Sequence, residues 1–236
     1  MVYLRKFIIY TMKKIISISV YGDHPTYVQG AVENLLLQPE IYPGWTCRFY
    51  IDDTVPKDIV SILEKDAEVI MKPRSDGNYG MWWRFEPLKD TTIERFIVRD
   101  SDARLSIRDA AAVKEWEESG KEFHIMRDHQ CHIQNIMGGM WGATSTLINK
   151  VKDNYDTMVE EYFKNITFKE MWYDPERKKY FNADQAFLRR YIWPHIINDH
   201  LAHVKKGIPG LKLLGNEHEF PIENPDGRCV GHSCLL

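Results

Sequence analysis

Residues 15–22 read Ile-Ile-Ser-Ile-Ser-Val-Tyr-Gly. Branched apolar residues alternate with serines and a glycine closes the run, which is the pattern of a buried strand running into a turn. Downstream, residues 26–37 place Tyr27, Val28, Ala31, Leu35 and Leu36 near helical spacing. Residues 47–51 (Cys-Arg-Phe-Tyr-Ile) read as a second strand closed by Asp52 and Asp53, residues 57–65 as a short helix and residues 68–71 as a third strand. This β-α-β-α-β order is the signature of an open, mostly parallel sheet with helices on both faces. The loop 72–80 is rich in Pro, Gly, Asn and Ser, and the aromatic run 81–88 is expected to be helical. Residues 95–98 (Arg-Phe-Ile-Val) form a central strand, and 107–119 a helix, with Ser106 as N-cap and Gly120 as stop signal. A strand over 123–126 and a helix over 183–191 complete the pattern.

The chain has 236 residues, 44% hydrophobic, which is ample for one sizeable core. No repeat, linker or low-complexity segment divides it, so residues 14–236 are expected to form a single domain behind an extension, 1–13. The net charge of -3 lacks the basic excess of a nucleic-acid-binding surface. Four cysteines at irregular spacing, Cys47, Cys131, Cys229 and Cys234, read as reduced thiols of a cytoplasmic protein, with a Cys229–Cys234 pair open in an oxidising setting. The basic, apolar start is broken by Thr11, Lys13 and Lys14 and is too short to span a bilayer, so no integral membrane segment is expected. The Arg5-Lys6 and Lys13-Lys14 pairs leave a peripheral contact with anionic lipid open. The oligomeric state is not legible.

The chemistry gathers at Asp100-Ser101-Asp102, where a hydrophobic strand ends. Open α/β sheets bind ligands at that edge. Two carboxylates two residues apart can approach one hard cation, Mn²⁺ or Mg²⁺, which also takes diphosphate oxygens. The plain alternative is a solvated turn.

Several blocks then occur in consistent order: Met81-Trp82-Trp83-Arg84-Phe85, Ile97 to Ser106, Phe123 to His129, Gly138-Gly139-Met140-Trp141-Gly142, Ala183-Asp184-Gln185-Ala186-Phe187-Leu188, Ile192-Trp193-Pro194, Phe220-Pro221 and Val230-Gly231. Together they resemble a bacterial and viral group of GT-A-type glycosyltransferase domains, which includes the chlorella virus glycosyltransferase domain. The resemblance covers the chain from about Lys14 onward. It implies a GT-A α/β fold, a nucleotide-sugar donor (UDP first, GDP open), a divalent metal and transfer to a hydroxyl of a glycan-type acceptor. By the same resemblance Val20, Tyr21, Gly22 and Asp52 or Asp53 cradle the base. Asp100 and Asp102 hold metal and ribose, with Asp102 the direct ligand. His232 completes the metal shell, with His200 and His203 as rivals.

The remaining candidates are read from chemistry. Arg74 and Arg84 flank the loop facing the donor, and an arginine fork suits diphosphate; a surface ion pair is the plain reading. Asp128 and His129 follow a strand and could read sugar hydroxyls. Gly138-Gly139 permits close backbone approach. Trp141 is read as core rather than as an acceptor platform. Asp184, at a helix start, fits the carboxylate that takes the acceptor proton; the alternative is a charge complementing the helix dipole. Competing readings are a fold-retaining module without chemistry, and a nucleotidyltransferase. The latter is disfavoured because Tyr21-Gly22-Asp23-His24 lacks a Gly-rich phosphate loop.

Overall fold

The structure is a computed structural model, which describes residues 12–74, 79–165, 172–174 and 179–233. Cys234 and the extension before Met12 lie outside the described residues.

Eight strands form one sheet. In chain order they are β1 (Lys13–Val20), β2 (Thr46–Ile51), β3 (Glu68–Met71), β4 (Ile93–Val98), β5 (Phe123–Arg127), β6 (Trp141–Thr144), β9 (His200–Val204) and β10 (Glu217–Glu219). The spatial order is β10-β9-β5-β6-β4-β1-β2-β3, and β7 (Trp172–Asp174) with β8 (Lys179–Phe181) makes a separate antiparallel pair. Within the large sheet β6 runs antiparallel to both β4 and β5, and the other pairings are parallel. This is the mixed, mostly parallel sheet expected. The helices are α1 (Pro25–Ile41), α2 (Lys57–Asp66), α3 (Ile107–Ser119), α4 (Ser145–Val151), α5 (Tyr155–Asn165), α6 (Ala183–Phe187) and α7 (Trp193–Ile196).

Alternation along β1 divides the core. Ile16, Ile18 and Val20 pack with Val28, Ala31 and Leu35 of α1 and with Ile59 and Leu63 of α2. Ile15 joins the opposite layer, with Phe85, Phe96, Phe123, Trp141 and Phe187. Trp141 is fully buried, stacked on Phe123, so it is core. Ser17 and Ser19 are buried too. A buried hydroxyl needs a partner, and both find theirs in Arg84: Ser17 Oγ donates to its carbonyl (2.7 Å) and its amide donates to Ser19 Oγ (2.8 Å).

Arg84 sits in Tyr79–Lys89, which is helical as expected, in the 3-10 form. Pro87 removes an amide that an α-helix would use, and the β1 serines fix the backbone at its centre. The helix read over 183–191 is likewise split, into α6 and a π-helical turn at Leu188–Ile192. The local signals at α3 hold: Ser106 Oγ accepts from the Asp109 amide (3.2 Å), and Gly120 ends the helix with φ 70°, a conformation that suits glycine. No described helix is long and apolar enough to cross a membrane.

Candidate active site

The edge where β1, β2 and β4 end carries the charged groups. Because β6 is antiparallel, its start lies at that same edge, with Trp141 opposite Val98. The chain enters β6 through Gly138-Gly139, beside the loop that leaves β4 at Asp100. A Cβ on Gly139 would fall on the Asp100 carboxylate, and one on Gly138 would fall on Asp184 and crowd Arg84 Nη2. The close backbone approach expected of this pair is therefore made to the site's own carboxylates.

Arg84 joins the two halves of the site. Its Nη1 donates to Asp100, and its Nη2 donates to Asp184 Oδ2 at 2.7 Å. Arg84 and Asp184 are buried, whereas Asp100 is partly open. Burial alone would pull the guanidinium down, but the flanking carboxylates more than reverse this and hold it charged. Burial pushes the Asp184 carboxyl above its ordinary range; Arg84 opposes this and Asp100 adds to it. Asp184 lies in the first turn of α6, after Asn182 in a left-handed conformation (φ 61°), and its Oδ1 accepts from the Gln185 amide at 2.9 Å.

Asp102 is raised as well, first by burial and then by the Asp100 carboxylate, against a hydrogen bond from Ser233 Oγ (2.8 Å). Ser233 reaches it because the C-terminal segment bridges Ala103. That puts His232 one residue from an Asp102 partner. His200 and His203 lie in β9, where His200 meets the Ile196 carbonyl and His203 meets His124 and Glu115.

The group fits a hard divalent cation by donor chemistry: two neighbouring carboxylates disfavour each other's charge, and a cation relieves this. Among the described residues no three His, Cys, Asp or Glu side chains form a ready cage. The protein offers a partial set, which suits a metal that keeps waters and takes phosphate oxygens.

On the β2 side, Asp52 is buried and accepts from the Thr54 amide (3.0 Å) and hydroxyl, while Thr54 Oγ1 accepts from the Gly22 amide (2.6 Å). Asp52 thus shapes the turn after Val20. Gly22 takes φ 76°. Tyr21 meets Trp83 edge-on at 6.0 Å, and burial pushes its phenol up. Tyr27, half-exposed on α1, feels both Asp102 and Asp100.

Four expected contributors take partners outside the Arg84 cluster. Arg74 is exposed on Asp53 (2.9 Å), so neither joins the Arg84 cluster. Asp128, expected to read sugar hydroxyls, is 1% exposed and bound by Arg108 through both oxygens (2.8 Å each). Its Oδ2 also accepts from the Val230 amide at 2.8 Å. Its acceptors are committed to Arg108 of α3 and to the C-terminal segment. His129 is exposed and accepts from the Cys131 amide (3.2 Å). Arg99, behind the motif, pairs with Asp109, and Arg104 braces the loop through the Ser101 carbonyl (3.0 Å) and Glu33.

The residues missed in the sequence are Ser17, Ser19, Thr54, Arg108 and Ser233. The two β1 serines carried a usable signal, because hydroxyls inside a buried strand must be paired. Ser233 carried none: its role exists only once the chain end folds back on the β4 loop.

With the geometry in hand, the chain has the GT-A, nucleotide-diphospho-sugar-transferase-like fold. It is similar to the glycosyltransferase involved in the glycosylation of the major capsid of PBCV-1, with TM-score 0.50 and 12% identity over 81% of each chain. It is also similar to CMP:2-keto-3-deoxy-manno-octonic acid synthetase complexed with CTP (TM-score 0.48, 10% identity, 82% of this chain and 90% of that one). A third similar structure is glucosyl-3-phosphoglycerate synthase from Mycobacterium tuberculosis with Mn²⁺, UDP and phosphoglyceric acid (TM-score 0.40, 10% identity, 62% and 65%). No family model matches the chain, and no curated protein matches its sequence.

Proposed function

We propose that the chain is a metal-dependent glycosyltransferase that moves a sugar from a nucleoside diphosphate, UDP in the first instance, to a hydroxyl of a glycan or other glycoconjugate. The observation that carries this is the meeting of Asp100, Asp102, Asp184 and Arg84 at the sheet edge, over the Gly138-Gly139 backbone. A structural turn has no need of two carboxylates sharing one buried arginine with a third, Asp102, beside them.

Asp102 and Asp100 would hold Mn²⁺ or Mg²⁺, with His232 beside them. When bound, the cation would offset charge on the departing diphosphate. Asp184 accepts the acceptor's hydroxyl proton. The freed oxygen bonds to the anomeric carbon, the bond from that carbon to the diphosphate breaks, and its electron pair leaves with the diphosphate. A carboxyl raised by burial is a better base for that proton. Arg84 fixes the Asp184 Oδ2 atom and so limits the directions the carboxylate can face. Val20, Tyr21, Gly22 and Asp52 build the floor for the base. The protein would work in the cytoplasm.

The test is thermal stability with a panel of nucleoside diphosphates, with and without Mn²⁺. A ligand of the native state raises the midpoint by mass action. UDP with Mn²⁺ is expected to raise it, and Asp102→Ala to remove the metal-dependent part. No rise with any diphosphate in the presence of metal would favour a binding module that kept the fold and lost the chemistry.

A further inference from the structure

Arg127 is the last residue of β5 and is fully buried. β6 is antiparallel to both β4 and β5, so β5 runs in the direction of β4 and Arg127 ends at the sheet edge that carries Asp100. Alternation along β5 places it on the side of Phe123 and Ile125, in the layer that holds Phe187 of α6. The loop 205–216, which leaves β9, covers it. The Lys205 amide donates to the Arg127 carbonyl (3.0 Å), and Arg127 Nη1 donates to the Lys212 carbonyl (2.7 Å).

The other edge of the guanidinium is unanswered. Nε and Nη2 are buried and have no hydrogen-bond partner. Glu217 Oε1 stands 3.9 Å from Nη2, beyond hydrogen-bond reach, and already accepts from the amides of Leu214 and Gly215. Nε and Nη2 together form the edge with which an arginine grips both oxygens of one carboxylate or phosphoryl group. Two other buried arginines of this chain use that edge in full. Arg99 holds both oxygens of Asp109 (2.9 and 2.7 Å), and Arg108 holds both oxygens of Asp128 (2.8 Å each). Arg127 presents the same edge with no acid on it. A buried cation with open donors is costly, and burial draws this guanidinium below its ordinary value against the pull of Glu217.

The cover is lightly held. Leu213 is exposed at its crown, and its inner turn closes on one long bond, from the Leu211 amide to the Ile208 carbonyl (3.4 Å). Gly207 and Gly215, near its two ends, take left-handed φ of 76° and 87°. The loop carries Lys205, Lys206 and Lys212 and no acid, although Lys206 reaches Glu219 beyond it. Its charge therefore favours the approach of an anion.

We infer that Arg127 is an oxyanion site closed by the 205–216 loop: a carboxylate or phosphoryl group of a small-molecule ligand takes the Nε–Nη2 edge when the loop lifts. The inference stands on this arginine and its cover, and does not need the transferase reading.

The experiment follows the arginine Nε–H signals of the full chain by NMR during titration with inorganic phosphate, with acetate, and with chloride at matched ionic strength. Phosphate or acetate is expected to shift the Arg127 signal to saturation, with a Kd on the order of millimolar, and to move the Gly207 and Lys212 amides with it. The Arg99 and Arg108 signals should stay in place. The anion that acts names the group. Arg127→Lys keeps the charge and loses the fork, so the rise in thermal midpoint with that anion should need about tenfold more of it. Glu217→Gln keeps the arginine and removes the neighbouring negative charge, so it should tighten binding; it serves as the test if Arg127→Lys fails to fold. Equal shifts with chloride, or no shift with either oxyanion, would overturn the site. So would an undiminished anion response in Arg127→Lys. A Glu217→Gln protein with a lower midpoint, a displaced Arg127 signal and no response to either oxyanion would assign the arginine to Glu217 instead.

Discussion

Gly139 shows how little room the site leaves. Its Cα faces the Asp100 carboxylate so closely that a methyl group cannot fit without moving one of them. Gly139→Ala is therefore expected to cost about 1–3 kcal/mol by overpacking and to abolish the metal-dependent response to UDP. An unchanged midpoint and response would mean that Asp100 has another position available. Asp184 invites a different substitution. Asp184→Asn keeps the shape but cannot take a proton, so the turnover number should fall about a hundredfold or more while UDP still stabilises the protein. Loss of both together would assign Asp184 to structure, as the partner that keeps Arg84 charged in the interior. Both residues were singled out in the sequence, Gly139 for its missing side chain and Asp184 for its place at a helix start. Arg84 was singled out as well, but as a ligand for diphosphate. Its salt bridges to Asp100 and Asp184 connect residues 16 and 100 positions away, and no local pattern in a sequence encodes such a pairing.

Elements that carry their own boundary signals were legible. β3 and α3 were read with the bounds they have, because a short apolar run, an N-capping serine and a left-handed glycine act within a few residues. β6 was not recognised as a strand, since Trp-Gly-Ala-Thr becomes one only between β4 and β5. The C-terminal segment was the larger omission, because what holds it is tertiary. Arg108 stacks over Phe220 at 4.2 Å, donates to the Ile222 carbonyl and grips Asp128, which in turn takes the Val230 amide. This staple positions Ser233 on Asp102. Asp128→Ala would take the two-pronged partner from buried Arg108 and leave it Glu223 at 3.0 Å, at a cost of about 1.5–3 kcal/mol. The Val230 amide should then lose hydrogen-exchange protection well before β1 or β4, and the metal-dependent gain from UDP should shrink. Equal protection of Val230 in both proteins would show that the segment is held by other contacts.

At the scale of the whole molecule, the layers follow from alternation along the strands, and that much of the fold could be read from apolar spacing. The interior also buries histidines whose role no spacing announces. His124 lies in β5, stacked on Trp116, with Nε2 2.8 Å from His203 Nδ1. Burial drives His124 well below the ordinary imidazole value, and His203 and Arg99 add to this. Burial also lowers His203, although Glu115 lies 3.4 Å from its Nε2. His132 is pushed down to about 4, again mainly by burial. Each therefore takes a proton less readily in the folded chain than in the unfolded one, where it titrates near the ordinary 6.5. Above that value neither state holds the proton and stability is unaffected. As pH falls from 6.5 toward 4 the unfolded state binds more protons, so stability falls, by about 1.4 kcal/mol per pH unit for each histidine fully in that window. The thermal midpoint should hold steady from pH 8 to 7 and then decline toward pH 5, more steeply once Asp102→Asn and Asp184→Asn remove the raised carboxyls, which the folded chain protonates more readily and which act in the opposite direction. A midpoint that stays level down to pH 5 in the variant lacking both carboxyls would mean that these rings accept protons as readily in the folded chain as in the unfolded one.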